Sequence, residues 1–160
     1  MADTSQPDTP MTYARYLALD RLLDCQDPQS DLDDEMLFII IHQTKELWLK
    51  QIIRELQLAR SQIQNDALVP AYKALARVSR IQAVMTLSWD VLSTMTPSEY
   101  TRFRHVLGPS SGFQSDQFRT VEYLLGLKAS AFLKYQEDRP DAHAAMTDAL
   151  INPSIWDDAI

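Results

Sequence analysis

Hydrophobic residues recur along most of this chain at intervals of three and four positions, a spacing that places them on one face of an α-helix. The first stripe lies within residues 13–23 and predicts a short amphipathic helix that ends before Pro28. After the acidic segment 31–35, a second stripe continues without glycine or proline until Pro70 and predicts one helix of about thirty residues. Its members are Leu37, Ile41, Trp48, Ile52, Leu56 and Ile63.

A third stripe begins after Pro70 and stops near Thr96 and Pro97; because a short link joins it to the second, the two helices should pack antiparallel. Thr96 as N-cap, with Pro97 and Glu99 after it, is a start signal for another helix that runs through Arg104 or beyond. We expect further helices over 114–127 and from 139 to about 151. The third stripe consists of Leu75, Val78, Ile81, Met85, Trp89 and Leu92.

Composition supports an all-α fold, because only 3 glycines occur in 160 residues and turn-rich β architectures need more. The hydrophobic fraction of 46% is enough to build a core. Residues 1–11 are polar with two prolines and no periodicity, and we interpret them as a flexible leader. Residues 12–160 are expected to form a single helical domain.

The net charge of −7 argues against a nucleic-acid partner, since phosphate binding needs a concentrated basic face. Cys25 is the single cysteine, so no disulfide forms within the chain, and we find no secretory signal. The longest apolar run, residues 36–41, is far shorter than the eighteen or so residues of a membrane span. These features predict a cytoplasmic protein that does not enter a membrane.

Two pairs of residues have the four-residue spacing that places side chains on one helix face. Phe38 with His42 could bind a flat heterocycle through ring packing and a hydrogen bond, and the alternative is a histidine satisfied within the core. Tyr100 with Arg104 would aim a phenol and a guanidinium into one cleft, where Arg104 suits a carboxylate. The alternative for Arg104 is a surface residue whose stem covers its own helix.

The segment 108–112, Gly-Pro-Ser-Ser-Gly, either exposes backbone N–H groups and hydroxyls to a carboxylate or propionate, or is a plain turn between helices. The three histidines, His42, His105 and His143, are far apart and Cys25 has no partner cysteine. Spacing therefore predicts no metal site within the chain. No serine has the sequence context of a hydrolase nucleophile.

Read together, three segments resemble successive signatures of the tryptophan 2,3-dioxygenase family. They are FIIIHQTKELW at 38–48, EYTRFR at 99–104 and GPSSGFQS at 108–115. The resemblance extends to YARYLALD at 13–20 and PSIWDDAI at 153–160, so it covers nearly everything after the leader.

This resemblance implies an all-helical bundle of the haem-dependent tryptophan/indoleamine dioxygenase type. It would use haem b and dioxygen to cleave the indole ring of L-tryptophan to N-formylkynurenine. Arg104 would grip the substrate carboxylate beside Tyr100, and His42 would be the catalytic residue that hydrogen-bonds the indole N–H. Phe38 would pack beside the indole. The resemblance also assigns Ile39, Ile40 and Ile41 to the substrate, Ser111 and Gly112 to the haem, and Tyr13, Tyr16 and Leu17 to a neighbouring subunit's pocket in a homotetramer.

The chain also departs from the family pattern. The family's axial histidine lies well over a hundred residues beyond the position of Arg104, whereas this sequence stops 56 residues after it, so we expect the haem ligand outside this chain. Ile41 replaces a glutamine and Lys45 replaces a small residue, changes that remove no named role. His105 is no substitute ligand, since it points about 100° away from Arg104 around the helix.

Three other functions stay open at this point. The chain could be a short relative that binds an aromatic amino acid or haem without oxidising it. It could be a structural helical domain that oligomerises through Tyr13 and Tyr16. It could also belong to a haem-dependent hydroxylase of a related aromatic substrate, although the pairing of Phe38 with His42 favours indole.

Overall fold

The structure, a computed structural model, describes residues 10–160, and nearly all of the predicted leader lies outside that range. The described part is built of helices and contains no strand, which confirms the all-α prediction. The α-helices are α1 (Tyr13–Leu17), α2 (Leu19–Leu22), α3 (Asp33–Gln64), α4 (Leu68–Leu92), α5 (Pro97–Phe103), α6 (Asp116–Leu124), α7 (Pro140–Ile151) and α8 (Ile155–Ala159). Three 3₁₀ segments connect them, at Arg104–Leu107, Gly112–Gln114 and Ser130–Gln136.

Helices α3 and α4 form the predicted antiparallel hairpin. Nearer the turn, Glu55 of α3 accepts a hydrogen bond of 2.5 Å from Arg77 of α4. At the open end, Lys45 of α3 lies over the ring of Trp89 of α4, so the two helices run in opposite directions. Pro70 lies inside the first turn of α4 rather than before it. A proline is tolerated there because the first backbone N–H groups of a helix have no intrahelical acceptor.

The core lies between this hairpin and α6. Seven buried side chains form it, and burial of each contributes roughly 1.5–3 kcal/mol relative to exposure. These residues are Leu49, Ile52, Leu56, Val78, Ile81, Val121 and Leu124.

The single helix predicted over 13–23 is wrong, because the chain breaks at Ala18, which has a left-handed backbone with φ 51°. The sequence predicts a helix over 114–127, but α6 is shorter at both ends. Ser115 caps its start, and Gly126, two residues after its last residue, has φ 104°. The structure adds the 3₁₀ segment Ser130–Gln136 and the short helix α8, for which the pattern of apolar residues provides no signal.

Polar contacts join the carboxyl-terminal elements to the rest of the fold. Asp158 of α8 accepts a hydrogen bond from Arg60 of α3 and forms an ion pair with it. The Lys128 ammonium donates to the backbone carbonyls of Ala149 and Asn152, at 2.5 and 2.7 Å, and so satisfies the end of α7. These contacts join α8 to α3 and the segment after α6 to the end of α7.

Glu35 is buried, with 1% of its surface exposed, at the start of α3. Its carboxylate accepts hydrogen bonds from the backbone N–H groups of Gln29 and Ser30, at 2.8 and 2.7 Å, and from the Ser30 hydroxyl at 2.5 Å. The Ser30 hydroxyl is the main reason that the pKa of Glu35 lies below its ordinary value. The carboxylate thus holds the loop before α3 in place.

None of the helices within residues 10–160 combines the length and the apolar character needed to cross a membrane.

Candidate functional site

The candidate site is a two-lobed cleft where α3, α4, α5 and the loop 108–115 meet. The first lobe has a volume of about 820 Å³, within the usual range for small-molecule sites. Aromatic, apolar and a few polar side chains surround it. These side chains include Phe38, His42, Trp89, Tyr100, Arg104 and Ser111.

Three aromatic rings line one side of the first lobe, and the buried Phe103 packs behind them. The Phe38 ring lies 4.1 Å from the His42 ring, 5.8 Å from that of Tyr100 and 5.7 Å from that of Phe103, measured between centroids. Tyr100 and Phe103 pack edge to face at 5.4 Å. Such pairs hold each other in fixed orientations. Because Phe103 is fully buried, it anchors α5 against α3 and thereby positions Tyr100.

His42 has its protonation pattern set by its own helix. Its Nδ1 atom lies 2.7 Å from the backbone carbonyl oxygen of Phe38. A carbonyl oxygen only accepts, so Nδ1 carries the proton and donates it there. In the neutral ring, Nε2 is then the acceptor. The histidine therefore offers the cleft a hydrogen-bond acceptor suited to an N–H donor.

Arg104 lies at the junction where α5 gives way to the 3₁₀ segment, and it lines the first lobe. Its Nη1 atom donates to the carbonyl oxygen of Gly108 at 3.0 Å. A guanidinium has five N–H donors in all, so most remain for a ligand. Within residues 10–160 no carboxylate forms an ion pair with Arg104. The arrangement suits a carboxylate ligand.

The start of α5 is held by the predicted capping box. The Thr96 hydroxyl accepts from the Glu99 N–H at 3.3 Å, and the Glu99 carboxylate accepts from the Thr96 N–H at 2.7 Å. That backbone hydrogen bond is the main reason that the pKa of Glu99 is lowered. The cap sets the direction of a seven-residue helix that carries Tyr100 and ends immediately before Arg104, its C-cap.

The loop 108–115 closes the cleft opposite α3. The Ser111 hydroxyl accepts from the Phe113 N–H at 3.3 Å, and the Ser111 N–H donates to the Gln114 side chain at 3.0 Å. A Cβ atom added to Gly112 would meet nothing within 4 Å, so the backbone there faces open space. Ser111 and Gly112 border both lobes, so the segment lines the cleft, although the Ser111 N–H and hydroxyl take part in hydrogen bonds within the turn itself.

The second lobe, about 690 Å³, adjoins the first and shares His42, Trp89, Ser111 and Gly112 with it. Its other walls include the rings of Phe113 and Phe118. These flat aromatic rings, with the uncovered backbone of Gly112 beside them, suit a planar apolar group.

Two cationic side chains face this second lobe. Lys45 places its ammonium 3.1 Å from the centroid of the Trp89 ring, and burial lowers the pKa of the lysine. The buried Arg119 forms an ion pair with Glu122 at 2.7 Å, and its guanidinium carbon lies 4.7 Å from the Phe118 ring centroid. A planar apolar group with an acidic substituent would therefore fit here.

The structure brings six of the predicted site residues to the cleft: Phe38, His42, Tyr100, Arg104, Ser111 and Gly112. It does not bring Ile39, Ile40 or Ile41 there. Ile41 is buried elsewhere with 5% of its surface exposed, and Ile40 is 44% exposed, because helical rotation turns them away from the face of Phe38 and His42. Tyr13, Tyr16 and Leu17 are exposed on α1 and do not line this cleft.

Sequence reasoning missed four residues that shape the cleft: Phe103, Trp89, Lys45 and Arg119. Phe103 follows Tyr100 by three positions, which is a helical spacing that could have signalled a shared face. Trp89 was assigned to an apolar stripe and yet is 55% exposed. Lys45 and Arg119 carry no local signal, since only packing between helices brings them to one lobe.

Metal ligands are scarce in the described chain. No group of three or more His, Cys, Asp or Glu side chains within 10–160 is arranged to hold a metal ion. His143 lies on α7 with Nδ1 3.5 Å from the Thr147 hydroxyl, and His105 is exposed in the 3₁₀ segment after α5. Neither borders the cleft.

Comparison with known sequences gives matches over almost the whole chain. The family model described as tryptophan 2,3-dioxygenase matches residues 2–154. A tryptophan 2,3-dioxygenase of Caulobacter vibrioides is 64% identical over 150 residues, which are 94% of this chain and 57% of that protein. One of Bacillus thuringiensis strain Al Hakam is 54% identical over 150 residues, which are 94% of this chain and 54% of that protein.

A third relative of the same name, from Ruegeria sp. strain TM1040, is 52% identical over 148 residues, 92% of this chain and 53% of that protein. The chain thus spans about half the length of the curated relatives it matches. Both lobes of the cleft fall within the matched range.

Proposed function

The chain belongs to the tryptophan 2,3-dioxygenase family, and on that premise we propose that it supplies the substrate site of an oxidoreductase that cleaves L-tryptophan with dioxygen. The product would be N-formylkynurenine. This reaction is the first step of tryptophan degradation by the kynurenine route. One observation carries the proposal: Phe38, His42, Tyr100 and Arg104, from two helices far apart in sequence, line one lobe of the cleft.

Each of these groups matches one part of L-tryptophan. The guanidinium of Arg104 binds the carboxylate, with the donors that its bond to Gly108 leaves free. The Phe38 and Tyr100 rings pack against the indole. His42 accepts the indole N–H at Nε2, since Nδ1 is committed to the Phe38 carbonyl. Together they fix the position and the rotation of the ring.

The proposed cofactor is haem b, which when bound supplies the iron that binds and activates dioxygen. The second lobe fits a planar macrocycle, with Trp89 and Phe118 as flat walls and Ser111 and Gly112 against its edge. Trp89, Phe118, Ser111 and Gly112 would hold the haem from this chain, and the histidine that binds its iron would come from outside the chain, since neither His105 nor His143 borders the cleft.

The chain's own groups then bind, orient and shield the substrate. The rings of Phe38 and Tyr100, held in place by the buried Phe103, exclude water from the indole side. His42 holds the indole proton by a hydrogen bond at Nε2 and keeps the ring in one orientation. Arg104 keeps the charged end of the substrate away from the apolar lobe.

We also propose that the site is completed by a second copy of the chain in a homotetramer. Tyr13 and Tyr16 on α1 are 77% and 75% exposed, and Leu17 beside them is 40% exposed. Large exposed side chains on a five-residue helix suit insertion into another subunit. A cytoplasmic setting agrees with Cys25, which is free and exposed.

Absorption spectroscopy and product analysis of the intact protein test the proposal. We expect a haem Soret band that shifts on addition of L-tryptophan, and a product that gains both atoms of isotopically labelled dioxygen. A product that gains one oxygen atom would indicate a hydroxylase instead. A stability shift with L-tryptophan in the absence of haem binding would indicate a binding module, and no response to either ligand would indicate a structural domain.

A further inference from the structure

Lys45 lies in the second lobe with a buried ammonium group that has no hydrogen-bond acceptor. The Nζ atom is inaccessible to solvent and has no partner within residues 10–160. Its contact is the face of the Trp89 ring, 3.1 Å from the centroid. The Lys128 ammonium, by contrast, donates to two backbone carbonyl oxygens. Lys45 is therefore an unusual feature that the roles proposed above do not use.

A buried cation without an anion is costly, because it loses its hydration and gains little in return. Contact with an aromatic face offsets only part of that cost. Buried polar groups in proteins are normally paired. The position of Lys45 therefore points to an acceptor that this chain does not provide.

The acidic groups near the lobe already have other partners. Glu46 borders the lobe, but its Oε2 atom accepts from the Gln117 amide at 2.9 Å and lies beyond ion-pair distance from Lys45. Glu122 pairs with Arg119. The Arg119 Nε atom is itself buried without a partner, so a second cationic donor group faces the same lobe.

We propose that Lys45 makes the second lobe a carboxylate-binding subsite. The inference rests on the proposed function, under which the carboxylate is a haem propionate. The substrate carboxylate goes to Arg104 in the first lobe, so the subsite takes a different acid. The walls of Trp89, Phe113 and Phe118 fit the apolar body to which this acid is attached.

Titration of the intact protein with haemin and with haemin dimethyl ester, followed at the Soret band, tests this subsite. The wild type should prefer haemin over the ester by about tenfold or more, the effect of one charge-assisted hydrogen bond. Lys45→Met should lose most of that preference, and Lys45→Arg should keep part of it. Lys50→Met is the matched control, since Lys50 is exposed on the same helix and should leave the preference unchanged.

Thermal unfolding without ligand separates this role from a structural one. Lys45→Met should unfold at the same or a higher temperature than wild type, because it removes an unpaired buried charge and keeps the side-chain volume. A variant that keeps the full haemin preference overturns the proposal. So does a lower unfolding temperature that accounts for the whole loss of binding.

Two further results distinguish the source of the carboxylate. In the first result, the ester binds as tightly as haemin, but indole-3-propionate stabilises the wild type and not Lys45→Met. The proposed carboxylate-binding subsite is then supported, and its ligand is a free carboxylate rather than a haem propionate. In the second result, no form of the protein gives a Soret band, and the proposed function fails. The comparison with indole-3-propionate still tests the subsite, because equal stabilisation of the wild type and Lys45→Met, or of neither, overturns the proposed subsite.

Discussion

The Nδ1 atom of His42 lies 2.7 Å from the backbone carbonyl oxygen of Phe38, one helical turn earlier, while the two rings are 4.1 Å apart. The same pair of residues thus sets the orientation of the imidazole and its tautomer. Because Nδ1 donates to a carbonyl, Nε2 faces the cleft as an acceptor. This geometry makes the role of His42 testable with ligands that differ in one proton.

Replacement of His42 should reduce discrimination between L-tryptophan and 1-methyl-L-tryptophan, which has no indole N–H. In His42→Phe the ratio of their affinities should fall about three- to tenfold relative to wild type, the effect of one neutral hydrogen bond. Titration calorimetry with both ligands measures it. His143→Phe, outside the cleft, is the control. An unchanged ratio in His42→Phe would show that Nε2 does not bind the indole.

Arg104→Ala should weaken L-tryptophan binding by about tenfold or more and leave tryptamine, which has no carboxylate, almost unaffected. The reason is that the lost interaction involves only the acid group. Arg104→Lys should recover part of the affinity, because an ammonium keeps the charge and loses the planar fork. Arg102→Ala on the same helix is the control. Equal losses for both ligands would contradict the carboxylate assignment.

Glu35→Gln should destabilise the fold by about 1–3 kcal/mol, since the amide replaces a charged acceptor of three hydrogen bonds. Denaturant unfolding at neutral pH measures this change. Asp33→Asn, an exposed position in the first turn of the same helix, should cost about 1 kcal/mol or less. Similar effects of the two substitutions would mean that the bonds of Glu35 add nothing beyond the helix dipole.

The stability of the wild type should fall more steeply in acid than that of Glu35→Gln. The pKa of Glu35 is lower in the folded state than its ordinary value. Its contribution is therefore present above the unfolded-state pKa and is lost as the pH falls through the folded-state pKa. Unfolding free energies measured from neutral to acidic pH should converge for the two proteins. Parallel curves would contradict this linkage.

Gly126→Ala should destabilise the fold by about 1–3 kcal/mol, because φ is 104° there and an L side chain is strained in that region. The added Cβ would also lie 3.4 Å from the Ser154 hydroxyl, which caps α8. Gly112→Ala, with open space at the Cβ position, should change stability by less than about 1 kcal/mol. Thermal unfolding of both variants checks this difference, and equal effects would rule out backbone strain as the cause.

The sequence by itself determined the helical class, the α3–α4 hairpin and the cap at Thr96, because helical periodicity and capping depend on residues within a few positions. It also paired Phe38 with His42 and Tyr100 with Arg104, since a four-residue spacing on a helix fixes a shared face. Family resemblance added roles for these side chains. In the structure both pairs line the first lobe, although Arg104 lies in the 3₁₀ segment that follows α5.

Only the tertiary structure decided how the two pairs meet. Packing of Phe103 against Phe38 brings α5 to α3, and the loop 108–115 closes the cleft, although both segments follow Phe38 by more than fifty residues in the chain. Packing of α3 against α4 likewise buries the ammonium of Lys45 against Trp89. Local rules do not predict such contacts, because their energy comes from burial between distant segments rather than from neighbours along the chain.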